Sequence, residues 1–156
     1  MGQMASTLVS LSGKDSVHGV IPSTLFSMEQ SLATGQSMDL YGHMTIVPDM
    51  HTRKRLMAQE ADAFIALPGG YGTAEELFEV ITWNQLGIHE RPIVLVNVDG
   101  FYDGLVMWVD KATEEGFVTE SCRGIMTVAV DVDEVEGLIK NYEVPEGRYD
   151  LTWGSE

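Results

Sequence analysis

Short, almost continuously apolar runs alternate along this chain with longer amphipathic segments, and that alternation restricts the fold more than any other feature. The runs at 17–21, 44–47, 63–67, 93–98 and 125–130 are β-type in composition. A strand apolar at successive positions must be covered on both faces, which is the condition of parallel strands in α/β proteins. The segments at 50–61, 73–86, 102–115 and 132–141 carry helical periodicity instead. The expected fold class is therefore α/β, an open parallel sheet flanked by helices. No internal repeat, low-complexity tract or Pro/Ser linker interrupts it, so a single domain is expected over 1–144, followed by an extended tail at 145–156 that lacks a clear period. The opening Met1-Gly2-Gln3-Met4-Ala5-Ser6 fits a loose myristoylation pattern, but Met1, Met4, Ala5, Leu8 and Leu11 also keep helical spacing.

Composition narrows the function. A chain of 156 residues buries roughly 68–70% of its unfolded surface, enough for a core without disulfides or structural metal. The single cysteine, Cys122, has no internal partner, and no Cys/His pattern has zinc spacing. A reducing, cytoplasmic compartment and no metal or redox cofactor are expected. The apolar stretches fall short of the ~20 residues a membrane helix needs, and no basic-then-apolar leader opens the chain, so neither export nor membrane insertion is expected. The net charge of −15 disfavours nucleic acid as a bulk partner, since phosphate binding of that kind needs a basic face.

That charge is unevenly spread. Residues 99–156 hold 14 acids and 4 bases, whereas residues 1–98 hold 10 acids and 5 bases, three of them in Arg53-Lys54-Arg55. Such a cluster in an acidic protein is either a focus for a small anionic ligand or a solvated helix end. On a helix over 50–61, a step of 100° per residue puts Met50, Met57 and Ala61 on one stripe, with Arg53 and Lys54 flanking it and Arg55 nearly opposite. In open parallel sheets ligands sit beyond the carboxyl ends of the strands, and Arg53 and Lys54 are expected to border that cleft. His18, His43, His51 and His89 lack ligand spacing and read as ordinary polar or core residues, with His51 set apart by its place beside Arg53.

One strand-to-helix junction stands out. After Ala63-Phe64-Ile65-Ala66-Leu67 comes Pro68-Gly69-Gly70-Tyr71-Gly72-Thr73-Ala74-Glu75-Glu76, and then an apolar-periodic helix. Three glycines in four positions allow positive φ and close approach to a ligand. Their N–H groups, with those of the first helical turn, form a phosphate cradle at the positive end of the helix dipole. It is not a Walker A loop, because no Lys-Ser/Thr follows, and a dinucleotide fingerprint is disfavoured because Glu75 replaces its third glycine. Thr73-Ala74-Glu75-Glu76 also spells a capping box. Carboxylates beside an anion cradle suggest equally that another part of the ligand needs an acid or base.

Met50-His51-Thr52-Arg53-Lys54, the glycine loop from Asp62 to Glu76, Val80-Ile81-Thr82-Trp83, Gln85-Leu86-Gly87, Pro92-Ile93-Val94-Leu95, Asn97-Val98-Asp99-Gly100-Phe101-Tyr102 and Glu115-Gly116-Phe117 together resemble the LONELY GUY (LOG) family. These are cytokinin riboside 5′-monophosphate phosphoribohydrolases, often mislabelled lysine decarboxylases. The resemblance implies a Rossmann-like fold and hydrolysis of the N-glycosidic bond of N6-substituted adenosine 5′-monophosphates to free base and ribose 5-phosphate. It implies Arg53 and Glu76 as the catalytic pair, and Lys54, Gly69, Gly70, Tyr71, Gly72, Thr73, Glu75 and Thr82 as nucleotide-binding residues. It also implies a homodimer or larger assembly, in keeping with a helix made apolar over most of its circumference by Leu77, Phe78, Val80, Ile81, Trp83 and Leu86. Met107, Trp108 and Trp83 then read as core or subunit contacts. Family members usually begin with a strand-helix-strand unit carrying G-G-G-x-x-G-x-M-G, and this chain starts at the equivalent of its final Met1-Gly2, so an N-terminally truncated sheet is expected. Residues 28–39, where the family has a base-side loop, depart from the pattern. The competing functional classes are a nucleotide-binding protein without turnover and an inactive truncated fragment.

Overall fold

The computed structural model describes residues 2–32, 41–149 and 151–153. It is α/β, with parallel strands flanked by helices, and it divides into two compact units, Met1–Glu60 and Ala61–Glu156. Most of the expected base-side segment at 28–39 lies outside the described residues.

In the first unit the chain runs α1 (Gly2–Ser12), β1 (His18–Pro22), α2 (Ser23–Leu32), β2 (His43–Val47) and α3 (Met50–Glu60). The spacing of Met4, Ala5, Leu8 and Leu11 is realised as α1, whereas α2 was not expected from periodicity. Strands β1 and β2 pair in parallel from His18 opposite His43 to Pro22 opposite Val47. Gly42 has φ 86°, and a Cβ there would lie 2.4 Å from the Val17 carbonyl oxygen, so only glycine opens β2 this way.

Helix α3 starts behind Asp49. Its carboxylate accepts from Thr52 N at 2.8 Å and from the Thr52 hydroxyl at 3.2 Å, the arrangement of an N-cap. The bond from Thr52 N, with lesser help from the Thr52 hydroxyl and from His51, holds the Asp49 carboxyl below its ordinary range. The buried residue of α3 is Ala58, while Met50 and Met57 are exposed. The inward stripe is thus turned from the expected one, and Lys54, one turn before Ala58, lies on the inward side.

The second unit contains β3 (Phe64–Ala66), α4 (Tyr71–Gln85), β4 (Ile93–Val96), α5 (Asp103–Glu114), the short α6 (Glu120–Arg123), β5 (Met126–Ala129) and α7 (Val135–Lys140). The three strands form a parallel sheet in the order β3-β4-β5. All four residues of the central strand are 0–1% exposed, as its unbroken apolar run requires. Leu77 of α4 and Val109 of α5 pack with Ile93, Leu95, Tyr102, Cys122, Ile125 and Met126, so the lone thiol is a core group. The helix expected at 132–141 is a 3₁₀ turn, Val132–Glu134, leading into α7.

The expected tail is a strap against the C-terminal end of α4. Arg148 Nη1 donates to the carbonyls of Asn84 and His89, each at 3.0 Å, and to Asn84 Oδ1 at 3.3 Å; Nη2 reaches Glu90 at 2.9 Å. Tyr149 N donates to Gln85 O and Trp153 Nε1 to Leu86 O. Gly87 (φ 75°) permits the approach, because a Cβ there would lie 2.6 Å from Tyr149 O.

Candidate active site

The glycine loop leaves the carboxyl end of β3 and runs into α4. The structure corrects the expected capping box: α4 begins at Tyr71 with Gly70, which has no side chain to offer, as N-cap. Tyr71 and Gly72 already carry helical geometry, so Thr73 and Glu76 sit within the helix and not astride its start. The first internal bond is Ala74 N to Gly70 O at 3.1 Å. The N–H groups of Tyr71, Gly72 and Thr73 therefore have no acceptor in the helix, and they stand at the positive end of its dipole.

The glycines serve space more than torsion. None of Gly69, Gly70 and Gly72 has positive φ, contrary to the expected conformational role. A Cβ on Gly69 would lie 2.2 Å from Thr73 Oγ1, so Thr73 folds over the loop backbone and excludes any larger residue. At Gly70 and Gly72 a Cβ would meet nothing within 4 Å. Open space thus lies in front of two glycines at the helix N-terminus, and Tyr71 beside them is 97% exposed. This is an anion site in form. Glu75 on the following turn is exposed and Glu76 half-buried, next to the buried Leu77.

Gly69, Gly70, Tyr71, Gly72, Thr73, Glu75 and Glu76 are thus brought together at one junction. Thr82 is nine residues further along the same helix than Thr73, about 13 Å at 1.5 Å per residue, and its hydroxyl donates to Phe78 O at 2.7 Å. Arg53 and Lys54 belong to the first unit. There Arg53 is half-buried and its Nε donates to Val20 O of β1 at 3.0 Å, Lys54 is half-buried, and Arg55 is exposed. Arg53 is therefore held against a strand, unlike a solvated helix end.

A family model described as "possible lysine decarboxylase" matches residues 1–139. The chain is 51% identical over 127 residues to cytokinin riboside 5′-monophosphate phosphoribohydrolase LOG7 of Arabidopsis thaliana, covering 81% of this chain and 56% of that protein. It is 49% identical over 142 residues to the probable phosphoribohydrolase LOGL1 of Oryza sativa subsp. japonica, covering 91% and 60%. This chain belongs to the LOG family. It is also 45% identical over 166 residues to a bifunctional cytokinin biosynthesis protein of Fusarium pseudograminearum (strain CS3096), covering 98% of this chain and 34% of that one. The LOG-family chain thus spans about a third to three-fifths of the length of these relatives.

Tyr102, which touches the root of the loop, and Asn97, which holds Tyr102, had no role assigned from the sequence. The Tyr102 hydroxyl donates to Leu67 O at 2.8 Å, and Asn97 Oδ1 accepts from Tyr102 N at 2.6 Å. The signal was a single polar residue closing the most apolar run of this LOG-family sequence. His18, His43 and His89 are structural. His89 is buried, accepts from Arg91 N at 3.1 Å and bonds Val80 O at 2.9 Å, and burial pushes its pKa down. His18 bonds Glu60 and Thr45, and His43 bonds Asp15.

Proposed function

We propose that this LOG-family chain hydrolyses the N-glycosidic bond of N6-substituted adenosine 5′-monophosphates. Water supplies the oxygen that bonds to C1′ of ribose 5-phosphate, and the departing base takes up a proton. The observation that carries this reading is the glycine-capped N-terminus of α4, with open space before Gly70 and Gly72 and Glu76 on the next turn. The names borne by relatives near 50% identity support it.

In this scheme the N–H groups of the loop and first turn, with Lys54, receive the 5′-phosphate, Gly69 and Thr73 shape the cradle, and Glu75, Tyr71 and Thr82 complete the nucleotide contacts. Arg53 orients phosphate or ribose oxygens and Glu76 stabilises the oxocarbenium-like charge or activates water. The scheme requires no metal or redox cofactor. We propose further that residues 1–144 act as one Rossmann-like domain with 145–156 appended, and that the protein is cytoplasmic and a homodimer or larger. Exposed Met107, Trp108 and Phe117 support self-association. Among the described residues no helix is long and apolar enough to cross a membrane.

The test is chromatographic detection of free base after incubating the 156-residue chain with isopentenyladenosine monophosphate, with AMP as comparison. Release of isopentenyladenine is expected. No release from a folded chain that still binds the nucleotide would replace the enzyme by a binding protein. Glu76→Gln should retain nucleotide binding while turnover falls about 10²–10⁴-fold, the range for a lost acid–base group; unchanged turnover would remove Glu76 from the mechanism.

A further inference from the structure

We propose that Tyr102 is a positioning residue for the anion cradle, its hydroxyl holding the Leu67 carbonyl and Asn97 holding Tyr102; the link to catalysis rests on the proposed phosphoribohydrolase reading.

The chain of contacts starts at the end of β4. Asn97 N donates to Ala129 O at 2.7 Å, tying the residue to β5. Its side chain is buried, and a buried amide must be paired at both ends. Oδ1 accepts from Tyr102 N, and Nδ2 donates to Asp103 Oδ1 at 2.8 Å. The turn between them passes through left-handed conformations at Asp99 (φ 54°) and Gly100 (φ 70°). The positive φ favours glycine at 100, and a Cβ there would lie 2.6 Å from Asp103 Oδ2 and push that carboxylate aside.

This turn brings the Tyr102 ring into the core beside Leu77, Ile93 and Leu95 and carries its hydroxyl to Leu67 O. The β3–β4 ladder ends at Ala66 opposite Leu95, so Leu67 is the first residue beyond strand pairing. Pro68, which follows, restricts Leu67 to extended conformations and brings no N–H of its own. The Tyr102 bond therefore extends the tie past the last strand pair to the residue where the loop begins. At its other end the loop is pinned where Thr73 covers Gly69. Two fixed points a few residues apart set the direction of the N–H groups before any anion arrives, and preset donors bind without the cost of ordering a loop. Phenylalanine would fill the same core space; what the hydroxyl adds is the bond to Leu67 O.

The experiment is Tyr102→Phe in the full chain, with 5′-AMP as probe in calorimetric titration and with hydrogen exchange followed peptide by peptide. AMP affinity should fall about three- to tenfold, the effect of one net hydrogen bond, with any loss of turnover appearing in KM and not in kcat. Exchange should quicken in peptides spanning 67–74 and stay unchanged over 93–96 and 126–129. Unchanged affinity together with unchanged exchange at 67–74 would overturn the proposal, and so would acceleration spread equally through the strands, the mark of a plain core residue. A wild-type chain that binds AMP but releases no base removes the hydrolase reading and leaves these readouts to judge Tyr102. If wild type binds no AMP, the exchange comparison alone decides.

Discussion

The two ends of α4 are built on opposite terms. At the N-terminus the cap is Gly70, which has no side chain to bond the first turn, and among the described residues an added Cβ at Gly70 or Gly72 would meet nothing within 4 Å. At the C-terminus Arg148, Tyr149 and Trp153 all reach carbonyls of the last turn and its exit, beside an Asn84 that is 0% exposed. A helix leaves unsatisfied donors at one end and acceptors at the other. Here the protein satisfies the acceptors itself, with a cation correctly placed against the negative end of the dipole, whereas the N–H groups of Tyr71, Gly72 and Thr73 have no acceptor within the helix. On the proposed reading, stability is concentrated at one end of the helix and binding at the other.

The largest test of that division is Arg148→Ala. The side chain is only 11% exposed, and its loss strands the carbonyls of Asn84 and His89. An unfolding free energy lower by about 2–4 kcal/mol is expected, measured by urea denaturation, with AMP affinity of the folded fraction unchanged. Loss of affinity without loss of stability would break the comparison.

Gly72→Ala probes the other end. Beyond its chain neighbours and its own helix backbone, no described atom lies within 4 Å of the new methyl, and alanine suits a helix better than glycine, so stability should hold or rise by up to about 1 kcal/mol. The methyl would enter the ligand's space, and AMP affinity should fall about tenfold, or 1.4 kcal/mol. A thermal melt paired with calorimetry reads both; unchanged affinity would mean the anion does not approach there.

The smallest effect expected is a pH dependence at the closed end. Burial lowers the pKa of His89 below its ordinary 6.5, so the unfolded chain binds the proton more readily than the folded one. Its contribution to stability is whole above the unfolded pKa and is lost as pH falls below it toward the folded value. The urea midpoint should therefore drop between pH 7.5 and 5.5, roughly the window around an ordinary histidine pKa, and the drop should be smaller in His89→Gln. An equal drop in both proteins would assign it to other groups.

The α/β class was legible in the sequence, since Ile93-Val94-Leu95-Val96 can be stable only when covered on both sides, and among the described strands this one is the most buried. The sequence also located the glycine-rich junction between β3 and α4 on which the proposed anion site rests. Boundaries were less legible. Thr73-x-x-Glu76 is a sound local capping signal, yet the cap is Gly70, three residues earlier, because local hydrogen-bonding potential does not say which of several capping options the backbone takes. Only the tertiary structure decided that the aperiodic C-terminal residues are a clasp. Arg148 bonds carbonyls some 60 positions away, at Asn84 and His89, and no periodicity encodes a bond between a side chain and a distant carbonyl. The same holds for Tyr102, whose ring is legible as core but whose hydroxyl finds Leu67 O only through the strand order that sets β3 beside β4.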